Sequence, residues 1–280
     1  MKKAIQIFLS VIIMFTAMGI PVNAYDADAE TNDSRVFIQT DEYSMLLDEY
    51  EELCRSSKTN ENRKSLEELC YLIKEYPQYI LEKQKMSEQQ LKTENYTEEQ
   101  IYAIKNYDGS PAMTKAASAS VTGSLSHVSR TYNSSANRTY VTVTASVHWN
   151  GTPLVKGTDT LGIALAGSST FVRSNSYCLI SHPTGSVYSS SYQTQVGLGV
   201  QYRFGISADG INMFNYALLS YTGVAEGNVN VYAFSGAYSH FTYGSNIGFG
   251  FSIGGSYSAG ISFTPVPGYE LMWSDDDSVY

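Results

Sequence analysis

Two periodicities divide the chain. Over residues 41–107 apolar side chains recur at three- and four-residue intervals, the spacing of amphipathic helices. Leu46, Tyr50, Leu53 and Cys54 fall on one helical face, and Leu66, Leu69, Cys70 and Ile73 on another. Pro77 predicts the end of that second helix, with a further helical stretch over residues 78–85. Ser87-Glu88-Gln89-Gln90 and Thr97-Glu98-Glu99-Gln100 both have capping-box form, in which hydroxyl and amide side chains satisfy free backbone N–H groups reciprocally. The last helix is expected to stop near Asn106, where Asp108-Gly109-Ser110-Pro111 breaks it.

From residue 117 the period becomes two. Val141, Val143, Ala145, Val147 and Trp149 share one face of a strand, with Tyr140, Thr142, Thr144, Ser146 and His148 on the other. Asn150-Gly151 then supplies a turn. Val196, Leu198, Val200, Tyr202, Phe204 and Ile206 form a second apolar face, and similar runs follow around residues 211–221, 229–238, 247–253 and 257–263. The pattern predicts an α+β fold, a small helical region followed by an antiparallel, jelly-roll-like β-sandwich of about nine or ten strands.

The amino terminus adds an address. Lys2-Lys3 precedes an apolar run over residues 4–20, and Pro21-Val22-Asn23-Ala24 ends it with small residues. That order is a cleavable secretory signal, cut after Ala24, which implies an extracellular protein. Tyr25 in place of a cysteine argues against a lipid anchor, and no second apolar stretch is long enough to span a membrane as a helix. The expected organisation is a signal peptide over 1–24, a flexible mature terminus over 25–40, an acidic helical region and linker over 41–116, a β-sandwich over 117–273 and an acidic tail over 274–280.

Charge follows the same division: 20 acidic and 11 basic residues over 25–116, against 7 and 5 over 117–280. An acidic chain with no basic cluster excludes nucleic acid as a partner, because phosphates require grouped Lys and Arg. Three cysteines in an exported chain raise the question of a disulfide. Cys54 and Cys70 on antiparallel helices would be offset by about 10 Å along the axis, so free, buried thiols are the expectation.

Candidate chemistry is sparse. His127, His148, His182 and His240 belong to no catalytic motif and read as turn or surface residues. Asp159 is expected to cap a turn or to pair with Arg173 or Arg203. Asp275-Asp276-Asp277 lacks the spaced ligands and turning glycine of a calcium loop, so no metal or cofactor is implied. Aromatic residues remain: Trp149, Tyr188, Tyr192, Tyr238 and Tyr243, with Trp273, could build a sugar-stacking or partner-binding face. Residues 246–264 offer a different resource. Ile247, Phe249, Phe251 and Ile253 alternate with Gly and Ser, so this hairpin could pack on the sandwich or enter a membrane.

Several short segments carry a resemblance. The stretch from Tyr96 through Ser110, the following Met113-Thr114-Lys115-Ala116-Ala117, Val147-His148-Trp149, Gly157-Thr158-Asp159 and Gly236-Ala237-Tyr238-Ser239-His240 stand in an order similar to that of a loose group of uncharacterised secreted proteins of Gram-positive bacteria. The likeness covers residues 96–264. It implies a bacterial exported protein with a short helical leader and a Tyr/Gly/Ser-rich β domain, and it supplies no catalytic residues. The combined expectation is a non-enzymatic binding protein whose partner is a cell-surface glycan or an extracellular protein. A membrane-active protein is the alternative, and a hydrolase the third reading.

Overall fold

A computed structural model describes residues 36–56, 60–182, 185–195, 197–207, 213–214, 216–242, 249–256, 258, 260–266 and 269–280. The secretory segment and Tyr243 and Ile247 lie outside them. Five helices and thirteen strands are described, all within the compact unit Asp33–Tyr280.

The helices are α1 (Glu42–Ser56), α2 (Asn60–Gln84), α3 (Glu88–Thr93), α4 (Glu98–Lys105) and α5 (Pro111–Ala117). Both capping boxes form: Ser87 pairs with Gln90 and Thr97 with Gln100. Pro77 does not end α2, which runs through it without a break. Tyr76 and Ile80, on either side of the proline, are wholly buried with Leu46, Leu69 and Ile101 in one apolar cluster. That burial, at roughly 1.5–3 kcal/mol for each large apolar side chain, offsets the hydrogen bond that proline removes. None of the three cysteines is in a disulfide; Cys178 is buried as expected, whereas Cys70 is half-buried and Cys54, in the last turns of α1, is exposed.

The strands form a sandwich. One sheet holds six strands in the order β1 (Val36–Asp41), β2 (Ser120–Asn133), β3 (Arg138–Asn150), β9 (Tyr216–Glu226), β5 (Val172–His182) and β6 (Gly185–Ser189). The other holds β13 (Tyr269–Val279), β10 (Tyr232–Phe241), β4 (Thr158–Gly167), β8 (Gly199–Gly205) and β7 (Tyr192–Gln195). Between β3 and β10 the chain changes sheets repeatedly, and every described pairing is antiparallel. The extra strands relative to expectation are largely edge pieces. β1 falls in the segment expected to be a flexible terminus, and β6 and β7 are short.

The acidic tail is likewise a strand: Asp275, Asp276 and Asp277 sit opposite Gly236, Ser235 and Phe234 in the β10–β13 ladder. Charge on an edge strand discourages pairing with other chains, so these aspartates suit the place they occupy.

The period-two phase holds where the sheets face each other. Val141, Val143 and Val147 of β3 meet Leu161, Ile163 and Leu165 of β4 and Tyr232, Phe234 and Tyr238 of β10 in one buried core. A third, separate sheet of two strands, β11 (Phe251–Ser256) and β12 (Gly260–Pro265), contributes to another cluster with Ala164 and Ala237 on the far side of the five-stranded sheet.

Candidate functional site

The chemistry least expected from sequence lies inside the protein. His240, at the end of β10, and Asp159, at the start of β4, are both without accessible surface, and His240 Nδ1 donates to Asp159 Oδ1 at 2.8 Å. Asp159 also accepts from the Phe241 backbone N–H (3.2 Å) and from the Tyr238 hydroxyl, which itself accepts from Trp149 Nε1 at 2.8 Å. On the other side of the ring, Nε2 stands 3.7 Å from Glu42 Oε1. Glu42, the first residue of α1, is held by the Tyr76 hydroxyl (2.7 Å) and by the backbone N–H groups of Leu154 and Val155 (3.0 and 2.9 Å).

One cation thus sits between two buried carboxylates that come from the helical region and from the sandwich. Burial alone pushes the His240 pKa down. The Asp159 carboxylate and then Glu42 outweigh it and raise the pKa to about 10. Neither the turn or surface role expected of His240 nor the arginine partner expected of Asp159 is found. Arg173 instead lies over the Tyr192 ring at 4.6 Å. The paired His and Asp could in principle serve a hydrolase, but they are sealed from solvent, and the second ring nitrogen faces a carboxylate instead of a nucleophile. Among the described residues no group of three or more His, Cys, Asp or Glu is placed to hold a metal ion.

The cluster has a pH signature with a defined sign. His240 holds its proton more tightly when folded than at the ordinary value of 6.5. Its contribution to stability is therefore complete below pH 6.5 and is lost as pH rises through about 10. Urea midpoints across this window should fall more steeply for the unaltered chain than for His240→Gln. Parallel curves would show that the ring does not titrate in this way.

Burial also separates the aromatic candidates. Trp149 is 3% exposed and Tyr238 wholly buried, so neither can stack on a ligand. Their mutual hydrogen bond lets both polar groups enter the core. Trp273 is buried too, its indole filling the space that Gly123 and Gly236 leave empty. Tyr192 is 44% exposed and stacks on Tyr202, with ring centroids 5.2 Å apart. Tyr188 stands out at 68% exposure.

Tyr188 belongs to a surface assembled from several strands. On the outer face of the six-stranded sheet, registered positions form rows across the strands. One runs Ser126, Thr144, Ser220, Tyr177; the next runs Ser124, Ser146, Leu218, Leu179, Tyr188. Thr142 and Thr222 continue the pattern on one side, and Thr122 and His148 on the other. Hydroxyls bond across strands, Ser124 to Ser146 at 2.7 Å and Thr142 to Thr222 at 2.9 Å. Tyr177 meets Tyr188 edge to face at 6.0 Å, and Tyr216 lies close enough to Tyr177 and Ser146 to interact with both.

The described residues of these rows include no Asp, Glu, Lys or Arg. Burial pushes the His148 pKa down, leaving its ring neutral at pH 7. Among the described residues the helices make their principal strand contacts with β1, at one edge of this sheet, and with β13. The signal for Tyr177 and Tyr216 was present in the sequence, since each alternates with core residues (Cys178 and Ile180, Ala217 and Leu219). The strand order that gathers them was not.

The opposite outer face is covered. Phe251 and Ile253 are each 2% exposed and turn their side chains toward Ala164 and Ala237, while Ser252 and Ser256 face outward. Phe249 is half-buried. A Cβ on Gly162 would stand 2.6 Å from the Phe251 ring, so glycine is what lets the hairpin lie this close. Of the two states considered for residues 246–264, the described part is packed on the sandwich.

No family model matches the chain, and no curated protein matches it. Solved structures give distant likenesses. One, from work on pH-induced modulation of Streptococcus parasanguinis adhesion by Fap1 fimbriae, is 13% identical over 57% of this chain and 78% of its own, with a TM-score of 0.24. The pilus backbone RrgB from Streptococcus pneumoniae is 9% identical over 51% of this chain and 41% of its own, at 0.25. Clostridium perfringens delta-toxin is 6% identical over 58% and 83%, at 0.21. Pilus- or adhesion-related proteins and a toxin thus appear together, and at such TM-scores none of them carries an argument.

Proposed function

We propose that this is an exported binding protein whose working surface is the outer face of the six-stranded sheet. The observation that carries the reading is the contrast between the two outer faces. The hairpin β11–β12 packs on one, whereas the other presents Tyr188, Tyr216 and ordered hydroxyl rows, with no described helix making its principal contacts there. A broad uncovered surface bearing tyrosines suits recognition of a partner. The signal-like amino terminus and the resemblance to exported proteins of Gram-positive bacteria support a partner outside the cell. Capture of intact bacterial and animal cells by the immobilised chain should fall about tenfold when Thr144→Lys places a charge on the face. Ser256→Lys, on the outer side of the hairpin, should leave capture unchanged. Equal effects from the two would defeat the reading.

A membrane-active role is the second reading, supported by the hairpin's forming a sheet of its own with one apolar side. Its arms weigh against that reading. β11 and β12 have six residues each, a reach of about 20 Å, whereas a membrane-spanning strand takes about 9–11 residues. Liposomes loaded with dye are therefore expected to stay intact in the presence of the protein, and rapid leakage would restore the alternative.

A further inference from the structure

We infer that the ligand of this face is a neutral saccharide chain, its rings stacked on Tyr188 and Tyr216 and its hydroxyls met by the neighbouring serine and threonine side chains. The inference rests on the reading of the face as the binding surface and adds the chemistry of what binds there. A sugar ring has an apolar C–H face and a rim of hydroxyls. A tyrosine ring gives the first a flat surface at low entropy cost. A Ser or Thr hydroxyl both donates and accepts, as a sugar hydroxyl does. Tyr188, 68% exposed, ends one row on edge strand β6, and Tyr216, 37% exposed, stands at the start of β9 within reach of Ser146.

Charge sharpens the choice. The chain carries a net charge of −9, yet the described residues of the rows carry no formal charge. An anionic polysaccharide would require Arg or Lys for its carboxylates or sulfates. A protein partner is favoured by Trp, Tyr or Arg anchors set in desolvated pockets. Here the principal aromatic side chain, Tyr188, projects into solvent from an edge strand. The five strands from β2 to β6 give a width of about 19 Å at 4.7–4.9 Å per strand, which accommodates several rings of a chain in place of a single sugar.

The test is affinity electrophoresis of the full chain through gels containing a soluble neutral glucan, mannan, galactan or chitin oligosaccharide, with alginate as the anionic contrast. Retardation by at least one neutral polymer is expected, little changed by 0.5 M salt. Tyr188→Ala should weaken it about tenfold, and Tyr216→Ala by a smaller factor. Tyr102→Ala, which removes an equally exposed tyrosine from α4 (67% exposed), should not affect it. Retardation by alginate alone, or by no neutral polymer, overturns the inference. If Tyr188→Ala then still abolishes cell capture, and protease treatment of the cells abolishes it too, the face binds a protein and only the saccharide assignment falls. Should Tyr188→Ala and Thr144→Lys leave cell capture untouched as well, the binding face itself is wrong.

Discussion

Asp159→Ala is expected to lower the stability of the folded chain by about 3–5 kcal/mol, the usual cost of removing one partner from a buried ion pair. The carboxylate accepts from His240, from Tyr238 and from the Phe241 backbone. Its loss leaves an imidazolium, a phenol and an amide short of an acceptor in a site that water does not reach. For a unit of this size the melting temperature should drop by roughly 10 °C. Asp159→Asn, which keeps an acceptor but not the charge, should fall between the two and flatten the alkaline loss of stability. A melting temperature within a degree of the original in Asp159→Ala would show that the cluster contributes little. The choice of Ala over a bulky residue matters, because the change should report the missing acceptor and not a steric clash.

Gly123 and Gly236 are expected to be intolerant of side chains for a reason visible only at their shared neighbour. A Cβ on Gly123 would lie 2.3 Å from the Trp273 ring, and one on Gly236 would lie 2.8 Å from it. Trp273→Ala should cost about 3–5 kcal/mol, the range for a buried aromatic side chain. Gly123→Ala should cost about 1–3 kcal/mol by overpacking. The two effects should not add. In Trp273→Ala the space above Gly123 is empty, so Gly123→Ala should be far milder there. Urea unfolding of the four proteins measures the coupling, and additive losses would show that the indole does not occupy this slot.

Much of the fold follows from local pattern. The change from a helical to a two-residue period marks where the helices give way to strands, and the capping boxes at Ser87 and Thr97 form as their side chains require. The inward set on β3, from Val141 to Trp149, is buried as alternation predicts. These features depend on neighbours within a few residues, so a single chain segment encodes them. Pro77 shows the limit of that logic, because the burial of Tyr76 and Ile80 against distant helices overrides a local breaker.

What the sequence by itself determined was therefore the class of the helical region and of the central strands, and which side of those strands is apolar. The edge strands β1 and β13 formed where pairing partners were available. The sequence left open which strands become neighbours, and chemistry between segments depends on that. His240 and Asp159 lie 81 residues apart and meet because β4 pairs with β10, and Glu42 reaches them from α1. Trp149 and Tyr188, alike as aromatic residues in strand patterns, part company because one points between the sheets and the other outward from an edge strand. The open face itself exists only after β2, β3, β9, β5 and β6 align. Alternation assigns a side chain to a face, whereas the pairing of distant strands decides whether that face becomes core, covered surface or a place to bind.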